Sequence, residues 1–221
     1  MQLRSLSLSV HASTLLMTAA SIMEPNPLAA QPCRFCGQVS GIWQEPYHLD
    51  GDHTNDVADN LVASCPLCHL VQHLERPRIE EEAALIWLPA MSQRALIALA
   101  RTLHLKLHAA GEPLDVAVAT SRRAEACAHF YRALQELLAR AASARTRLGT
   151  SSPRELGAAL RALPAAVYAR RDQLLGGLRL LPLGRLYHGD QDVYPDILAT
   201  WANLARATGG REKADAETTV A

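Results

Sequence analysis

Apolar residues recur at helical spacing through much of the second half of the chain. A leucine stripe predicts a helix from Ser92 to Ala109, which Gly111 and Pro113 end. The leucines of that stripe lie three or four residues apart: Leu96, Leu99, Leu103 and Leu107. A second stripe predicts a longer helix that ends near a C-terminal cap, Gly149. Its members alternate steps of three and four residues: Ala124, Cys127, Tyr131, Leu134, Leu138 and Ala141. Core packing in a small helical bundle explains both stripes, although such a seam can also take a partner helix.

Two more helices follow from a cap and from a late apolar set. Ser152 precedes Pro153, and Glu155 lies in the first turn, so the order of a capping box predicts a helix start. A last helix is predicted from Asp192 to Ala207, with these apolar residues: Ile197, Leu198, Trp201 and Leu204. The region 77–207 is therefore predicted to be mainly helical. Residues 208–221 are polar and charged, which predicts a flexible tail.

The first 32 residues follow a different pattern. Leu6, Leu8 and Val10 alternate with serines, which predicts a strand with one buried face, and the prolines of residues 24–32 predict a linker. The same serines interrupt what would be the apolar stretch of a secretory signal. A transmembrane helix needs about 20 consecutive apolar residues, and the chain has no such run. The sequence therefore predicts a cytoplasmic protein with no direct membrane insertion.

Composition narrows the class of protein. The 221 residues carry 22 Lys+Arg and 22 Asp+Glu, and 49% of them are hydrophobic. Such a chain is too apolar and too weakly charged to be disordered. Because its formal net charge is zero, it does not bind nucleic acid through a strongly basic overall surface.

Four of the five cysteines form two Cys-x-x-Cys pairs. A two-residue spacer lets one tight turn present two sulfurs to one ion, and zinc takes four thiolates in a tetrahedron. The pairs predict one structural Zn²⁺ per chain, held by Cys33, Cys36, Cys65 and Cys68. A thioredoxin-like redox site would explain one pair but not the second. Cys127 lies on the helical stripe and is interpreted as a small buried hydrophobic residue.

The segment between the two pairs resembles the HNH endonuclease module, a ββα metal unit within a four-cysteine zinc frame. The resemblance rests on these runs: Tyr47-His48-Leu49-Asp50, Asn60-Leu61-Val62 and Cys65-Pro66-Leu67-Cys68-His69. It implies an α+β fold with an HNH-like module over residues 33–76. It also implies that His48 matches the general base, Asn60 fixes the loop and His69 is a ligand of a second metal ion. His73, four positions beyond His69, can assist it.

One position departs from the HNH pattern. Tyr47 stands where the family places Asp or His to hold the catalytic cation, and a neutral phenol with a pKa near 10 is a poor ligand for it. Cleavage of a phosphodiester by this route depends on that cation. We therefore expect no catalytic residue, and treat His48, Asn60 and His69 as vestigial.

Charge gives a second reason to doubt a nuclease. Residues 30–75 hold six carboxylates and one strong base, Arg34, and four thiolates on Zn²⁺ add about two negative charges. The second long helix instead carries an excess of basic residues: Arg122, Arg123, Arg132, Arg140, Arg145 and Arg147 against Glu125 and Glu136. A solvated helix face or an acidic protein partner explains them, so nucleic acid is not the expected partner.

Motifs within the cysteine module and beyond it together resemble the DotN/IcmJ family of type IVB secretion and related conjugation systems. They are Cys33-Arg34-Phe35-Cys36-Gly37, the segment from His48 to His69, Leu85–Gln93 and Gly177–Pro182. The resemblance implies an HNH-like zinc fold that does not rely on nuclease activity. It implies a cytoplasmic subunit of the coupling complex, located at the inner-membrane face through its partner. The implied partners are the C-terminal segment of the coupling ATPase and other coupling-complex subunits.

Three functional hypotheses follow. The first is a non-catalytic adaptor in which zinc supplies rigidity, while the helices and the stretch Leu178–Leu186 offer apolar and basic surface to a partner. The second is a metal-dependent HNH endonuclease with an altered metal site. The third is a zinc-knuckle module that binds DNA without cleaving it. Tyr47 and the acidic module favour the adaptor, and only the presence of the three vestigial residues favours the nuclease.

Overall fold

Short antiparallel strand pairs and helices make up the described chain. The computed structural model of the protein describes residues 3–10, 26–52, 54–115 and 125–218. The strands are β1 (Glu45–His48), β2 (Leu61–Ser64), β3 (Ala83–Trp87), β4 (Leu178–Pro182), β5 (Tyr187–His188) and β6 (Gln191–Asp192). The helices are α1 (Pro66–Val71), α2 (Ile79–Glu82), α3 (Gln93–Ala109), α4 (Ala128–Ala139), α5 (Ala141–Leu148), α6 (Pro153–Arg161), α7 (Ala165–Tyr168), α8 (Arg171–Leu174) and α9 (Tyr194–Thr218). Single 3₁₀ turns cover Gly41–Trp43 and Glu125–Cys127. This mixture confirms the predicted α+β class.

Strands β1 and β2 form an antiparallel pair that leads directly into α1. In their register Tyr47 lies opposite Val62. Helix α1 begins with Pro66, which suits a first helical position because no N–H is needed there. All six residues of α1 are buried. The strand pair and the helix therefore pack closely, with the side chains of both available to one site.

The second strand pair joins segments that lie far apart in sequence. Strand β3 pairs with β4, and Leu85 lies opposite Leu180. On one edge the side-chain amide of Gln93 donates to the Leu180 carbonyl and accepts from the Leu180 N–H, each at 2.8 Å. On the other edge the Leu85 N–H donates to the carbonyl of Ser151 at 3.1 Å. These bonds replace further strands and protect the sheet from pairing with another chain.

The β3–β4 pair bears on two expectations. The region 77–207 contains strands β3 to β6 among its helices. Strands β3 and β4 show no sustained alternation of apolar and polar residues, so the sequence pattern did not predict them. The stretch Leu178–Leu186 was expected to offer apolar surface to a partner. Most of its leucines instead lie in the core and are at most 4% exposed: Leu178, Leu180, Leu181 and Leu186.

Serine side chains cap the starts of α3 and α6, and the cap at Ser152 was predicted from the sequence. Ser92 caps α3, and its side chain accepts from the N–H of Ala95 at 3.2 Å. Ser152 caps α6 and accepts from the N–H of Glu155 at 3.0 Å. The Ser152 N–H bonds the hydroxyl of Thr150, so the reciprocal bond of a full capping box is not made.

The predicted long helix is divided. It forms α4 and α5 with a break at Arg140, and it ends at Gly149 in the left-handed conformation expected of a C-terminal cap. Ala124, where the prediction began, lies outside the described residues. Cys127 is 4% exposed within an apolar cluster, as its interpretation required.

The two ends of the chain differ from the predictions. Residues 3–10 form no strand, so the expected N-terminal strand is wrong over this part of the chain. Tyr168 holds the segment instead, because its hydroxyl donates to the Val10 carbonyl at 2.9 Å and accepts from the Val10 N–H at 3.2 Å. At the other end, α9 continues to Thr218, beyond Ala207 and into the segment expected to be a flexible tail.

Helix α9 is fixed to the cysteine-containing part of the chain. The Trp201 indole donates to the hydroxyl of Ser40 at 2.9 Å, and the Trp43 indole donates to the hydroxyl of Thr200 at 3.1 Å. Both aromatic rings lie in the same buried cluster as three of the cysteines. Within the described ranges, no helix combines the length and the apolar character that crossing a membrane requires.

Candidate metal centre

The first cysteine pair lies on a tight turn. Cys33 and Cys36 are brought together because the Gly37 N–H donates to the Cys33 carbonyl at 2.8 Å. The turn places Gly37 at φ 80°, a conformation that glycine adopts without strain. The Arg34 N–H donates to the Ala63 carbonyl at 2.8 Å, so this turn is attached to strand β2.

The second pair spans the start of α1. Cys65 precedes the helix and Cys68 lies in its first turn. The ligand atoms of all four predicted cysteines lie within 4.8 Å of one another, and Cys36 Sγ is 3.6 Å from Cys65 Sγ. Cys36 is partly exposed, whereas the other three are buried. The cysteines predicted to converge are therefore together, although they come from two separate segments.

The donor set fits a zinc ion. Zn–S bonds of about 2.3 Å in a tetrahedron place sulfurs about 3.8 Å apart, close to the observed separation. The other three thiols donate hydrogen bonds to Cys33, which keeps its pKa well below the usual value. Hydrogen bonding to Cys33, together with burial, raises the pKa of Cys65 and Cys68. A divalent cation would replace the shared protons and let all four sulfurs be thiolates.

A second cluster of polar side chains forms near the end of α1, around His69 within the helix and His73 just beyond it. His69 and His73 are one helical turn apart, and their Nε2 atoms are 2.9 Å from each other. Each ring also contacts a carboxylate through Nδ1. Glu45 Oε2 lies 2.5 Å from His69 Nδ1, but the angle does not fit a hydrogen bond. Glu75 Oε1 lies 2.8 Å from His73 Nδ1. Carboxylates behind histidines commonly orient rings that bind a metal.

Glu45 is the residue of this cluster that the sequence interpretation missed. Burial alone would raise its pKa, yet the electrostatic attraction of His69 and the nearby His188 outweighs burial and holds the pKa of Glu45 well below the usual value. A signal for Glu45 existed in the sequence. Residues two apart on a strand share a face, so Glu45 and Tyr47 are placed on the same side of β1.

Tyr47 packs as an aromatic residue beside the two histidines. Its ring lies edge-on to His69 and His73, with centroids 5.9 and 6.3 Å away, and edge-on to Phe35 at 5.4 Å. Burial raises the pKa of Tyr47 to about 12. Its phenol therefore holds its proton at neutral pH, and a protonated phenol is a poor ligand for a divalent cation.

His48 ends β1, and Asn60 ends the loop that joins β1 to β2. His48 Nε2 lies 2.9 Å from Asp56 Oδ1. The Asn60 side chain donates to Asp50 Oδ1 and to the Asn55 carbonyl, each at 2.8 Å, and accepts from the Asp50 N–H at 3.0 Å. These bonds account for loop stability without catalysis.

The two clusters differ in how many donors converge. Among the described residues, the four cysteines form the one group of three or more His, Cys, Asp or Glu side chains compact enough to surround an ion. The histidine pair has no third such donor at that spacing in the same part of the chain. The geometry thus supports a closed sulfur site and an incomplete second site.

Comparison with known proteins finds a similarity over part of the chain. The chain is 34% identical over 73 residues to the Type 4 apparatus protein DotN of Legionella pneumophila. The match covers 32% of this chain, and the chain spans about a third of the length of that relative. No protein-family model matches the chain. The similarity supports a DotN-like relationship over this part of the chain.

Proposed function

We propose that this protein is a non-catalytic, zinc-stabilised adaptor subunit of a type IVB secretion or conjugation coupling complex. It binds the C-terminal segment of the coupling ATPase and contacts other subunits of that complex. It works in the cytoplasm and reaches the inner-membrane face through this partner. The similarity to a protein named as part of the type 4 apparatus is the observation that carries the proposal.

Zinc acts in this proposal as a source of shape. Four thiolates close the tetrahedron, so the ion keeps no open position for a substrate. The ion joins the turn at Cys33–Cys36 to α1, which has only six residues. Helix α9 packs on the same unit through Trp43 and Trp201, so zinc also fixes the helical part of the adaptor.

The HNH-like module is degenerate in this proposal. Tyr47 occupies the position that holds a metal ligand in the HNH endonuclease family, which the module resembles. Its protonated phenol packs on His69 and His73. Residues 30–75 are acidic, which disfavours the approach of a phosphate backbone.

Co-purification with the C-terminal segment of the cognate coupling ATPase tests the adaptor function. We expect a stable complex that elutes together from size exclusion, with a 1:1 or higher-order ratio measured by light scattering. A segment of equal length and net charge from an unrelated coupling ATPase serves as the control. Failure of the cognate segment to bind at micromolar concentrations would contradict the adaptor function.

A metal-dependent HNH endonuclease is the second candidate, and the paired Nε2 atoms of His69 and His73 favour it. Incubation of the zinc-loaded protein with plasmid DNA and Mg²⁺ or Mn²⁺ separates the two functions. The adaptor function predicts intact plasmid. Cleavage by the wild-type protein that disappears in His48→Ala, with zinc content unchanged, would establish the nuclease instead.

A further inference from the structure

One arginine outside the cysteine module reaches the sulfur cluster. Arg101 belongs to α3, and its Nη1 lies 4.0 Å from Cys36 Sγ, within the range of a hydrogen bond to sulfur. Cys36 is the one cysteine of the four that is partly exposed. The contact therefore covers the side of the cluster that solvent, chelators and electrophiles can approach.

The position of Arg101 is set by its surroundings. Its guanidinium carbon lies 5.7 Å from the centroid of the Trp201 ring, within the range of a cation–π contact. The Trp201 indole is itself held by its bond to Ser40. Within residues 3–10, 26–52, 54–115 and 125–218, no carboxylate forms a salt bridge with Arg101. The arginine is thus aimed at the sulfurs rather than neutralised by an acidic side chain.

Charge explains why a cation is needed at this place. Four thiolates on one Zn²⁺ carry a net charge of about −2. The surrounding segment of residues 30–75 adds six carboxylates and offers one arginine, Arg34. A sulfur bound to zinc is already a thiolate, so a cation beside it stabilises the charge and leaves it a weaker base and a weaker intrinsic nucleophile.

We propose that Arg101 is the counter-ion of the zinc–thiolate centre, and that its contact with Cys36 retains the metal and protects this sulfur from electrophiles. The inference rests on the zinc site proposed above. Because Arg101 and Trp201 lie on α3 and α9, the contact also links the metal to the position of both helices.

Two substitutions separate charge from packing. Arg101→Met keeps an unbranched side chain on Trp201 but removes the charge, whereas Arg101→Lys keeps the charge. Changes behind a metal ligand typically weaken binding by about 10–100-fold. We expect zinc transfer from Arg101→Met to the chelator 4-(2-pyridylazo)resorcinol to be at least about tenfold faster than from the wild type, with Arg101→Lys close to the wild type. Arg94→Gln, an exposed arginine of the same helix, is the matched control.

Alkylation gives a second measurement on the same proteins. N-ethylmaleimide followed by peptide mass mapping should modify Cys36 first and faster in Arg101→Met, with the rates in Arg94→Gln unchanged. Equal zinc-transfer rates in the wild type and Arg101→Met would overturn the inference, and so would equally fast loss in Arg101→Met and Arg101→Lys. A wild-type protein that binds no zinc would instead overturn the proposed zinc site, so the two failures are distinguishable.

Discussion

The sulfur cluster and the histidine cluster are both built on the short helix α1 and the residues next to it, yet only the sulfur cluster has enough donors to surround an ion. Four sulfurs from two segments converge within 4.8 Å. Two histidine nitrogens meet at 2.9 Å, with carboxylates behind them and an aromatic ring beside them. The difference shows that a structural metal ion and a catalytic metal ion need different binding sites. The first needs a closed shell, and the second needs a further donor and an open position.

The largest expected effect comes from opening the sulfur cluster. Zinc binding to a structural four-ligand site contributes on the order of 10 kcal/mol of folding free energy. Cys65→Ser should therefore lose the metal and most of the soluble folded protein. Metal analysis of the purified protein and far-UV circular dichroism measure this, with one Zn per wild-type chain expected.

Cys127→Ser provides the matched control for the cluster. Cys127 is buried but lies outside the four converging sulfurs, so its replacement should leave zinc content unchanged and cost about 1–2 kcal/mol of stability. A Cys65→Ser protein that is folded but binds no metal would show that the sulfur cluster does not need an ion for folding. The sulfur cluster would then not differ from the histidine cluster in this respect.

An intermediate loss of folding stability is expected at acid pH. This loss arises from the packed helices next to the metal site and not from the site itself. His104 of α3 is buried and contacts the Tyr194 hydroxyl at 2.9 Å through Nδ1. Burial lowers the pKa of His104 from 6.5 to about 4. Because the folded pKa lies below the unfolded one, its contribution is complete above pH 6.5 and is lost as pH falls from 6.5 towards 4. The loss amounts to about 3 kcal/mol.

Urea unfolding at several pH values between 7.5 and 4.5 measures this slope. The thiolates also take up protons in acid, so the wild type is compared with His104→Leu under identical zinc concentrations. The difference between the two slopes should be centred between pH 4 and 6.5. Parallel slopes would show that burial of His104 does not contribute to the loss of stability in acid.

The smallest expected effect on stability concerns the ring that separates the two clusters. Tyr47→Phe keeps the contacts with Phe35, His69 and His73, so we expect a loss of about 1 kcal/mol and no change in metal content. Tyr47→His instead adds a third nitrogen donor beside the histidine pair. Isothermal titration with Ni²⁺ should then detect a second binding event, absent from Tyr47→Phe. A second event in the wild type would mean that the histidine cluster is already complete.

Much of the local structure was predictable from the sequence because its signals are local. The capping serines Ser92 and Ser152, the C-terminal cap Gly149 and the leucine stripe of α3 are each read within one or two turns. The cysteine pairs are equally local, since a two-residue spacer limits each turn. The break at Arg140 was not predictable, because the apolar period of the helix continues across it. At the break the Trp87 N–H donates a hydrogen bond to the Arg140 carbonyl at 3.3 Å, and this contact comes from a distant strand.

The β3–β4 pair was not predicted, and the strand expected in the N-terminal segment was wrong. Strands β3 and β4 are mostly buried and show no sustained alternation, so no period of two marks them as strands. In residues 3–10 apolar and polar residues do alternate, but the backbone of this segment bonds to the Tyr168 side chain and to Val71. The Val71 carbonyl accepts a hydrogen bond from the Ser9 N–H at 3.3 Å. No neighbouring strand supplies these bonds.

The sequence by itself determined which atoms are available to a metal, because residue type and short spacing decide the chemistry of a donor. It also determined that Tyr47 is not a good ligand, since the proton of a phenol is lost only at high pH. Only the tertiary structure decided which donors meet. Glu45 reaches His69, and Arg101 reaches Cys36, because helices and strands from distant parts of the chain pack together. Contacts of that kind depend on the whole core, and no local pattern encodes them.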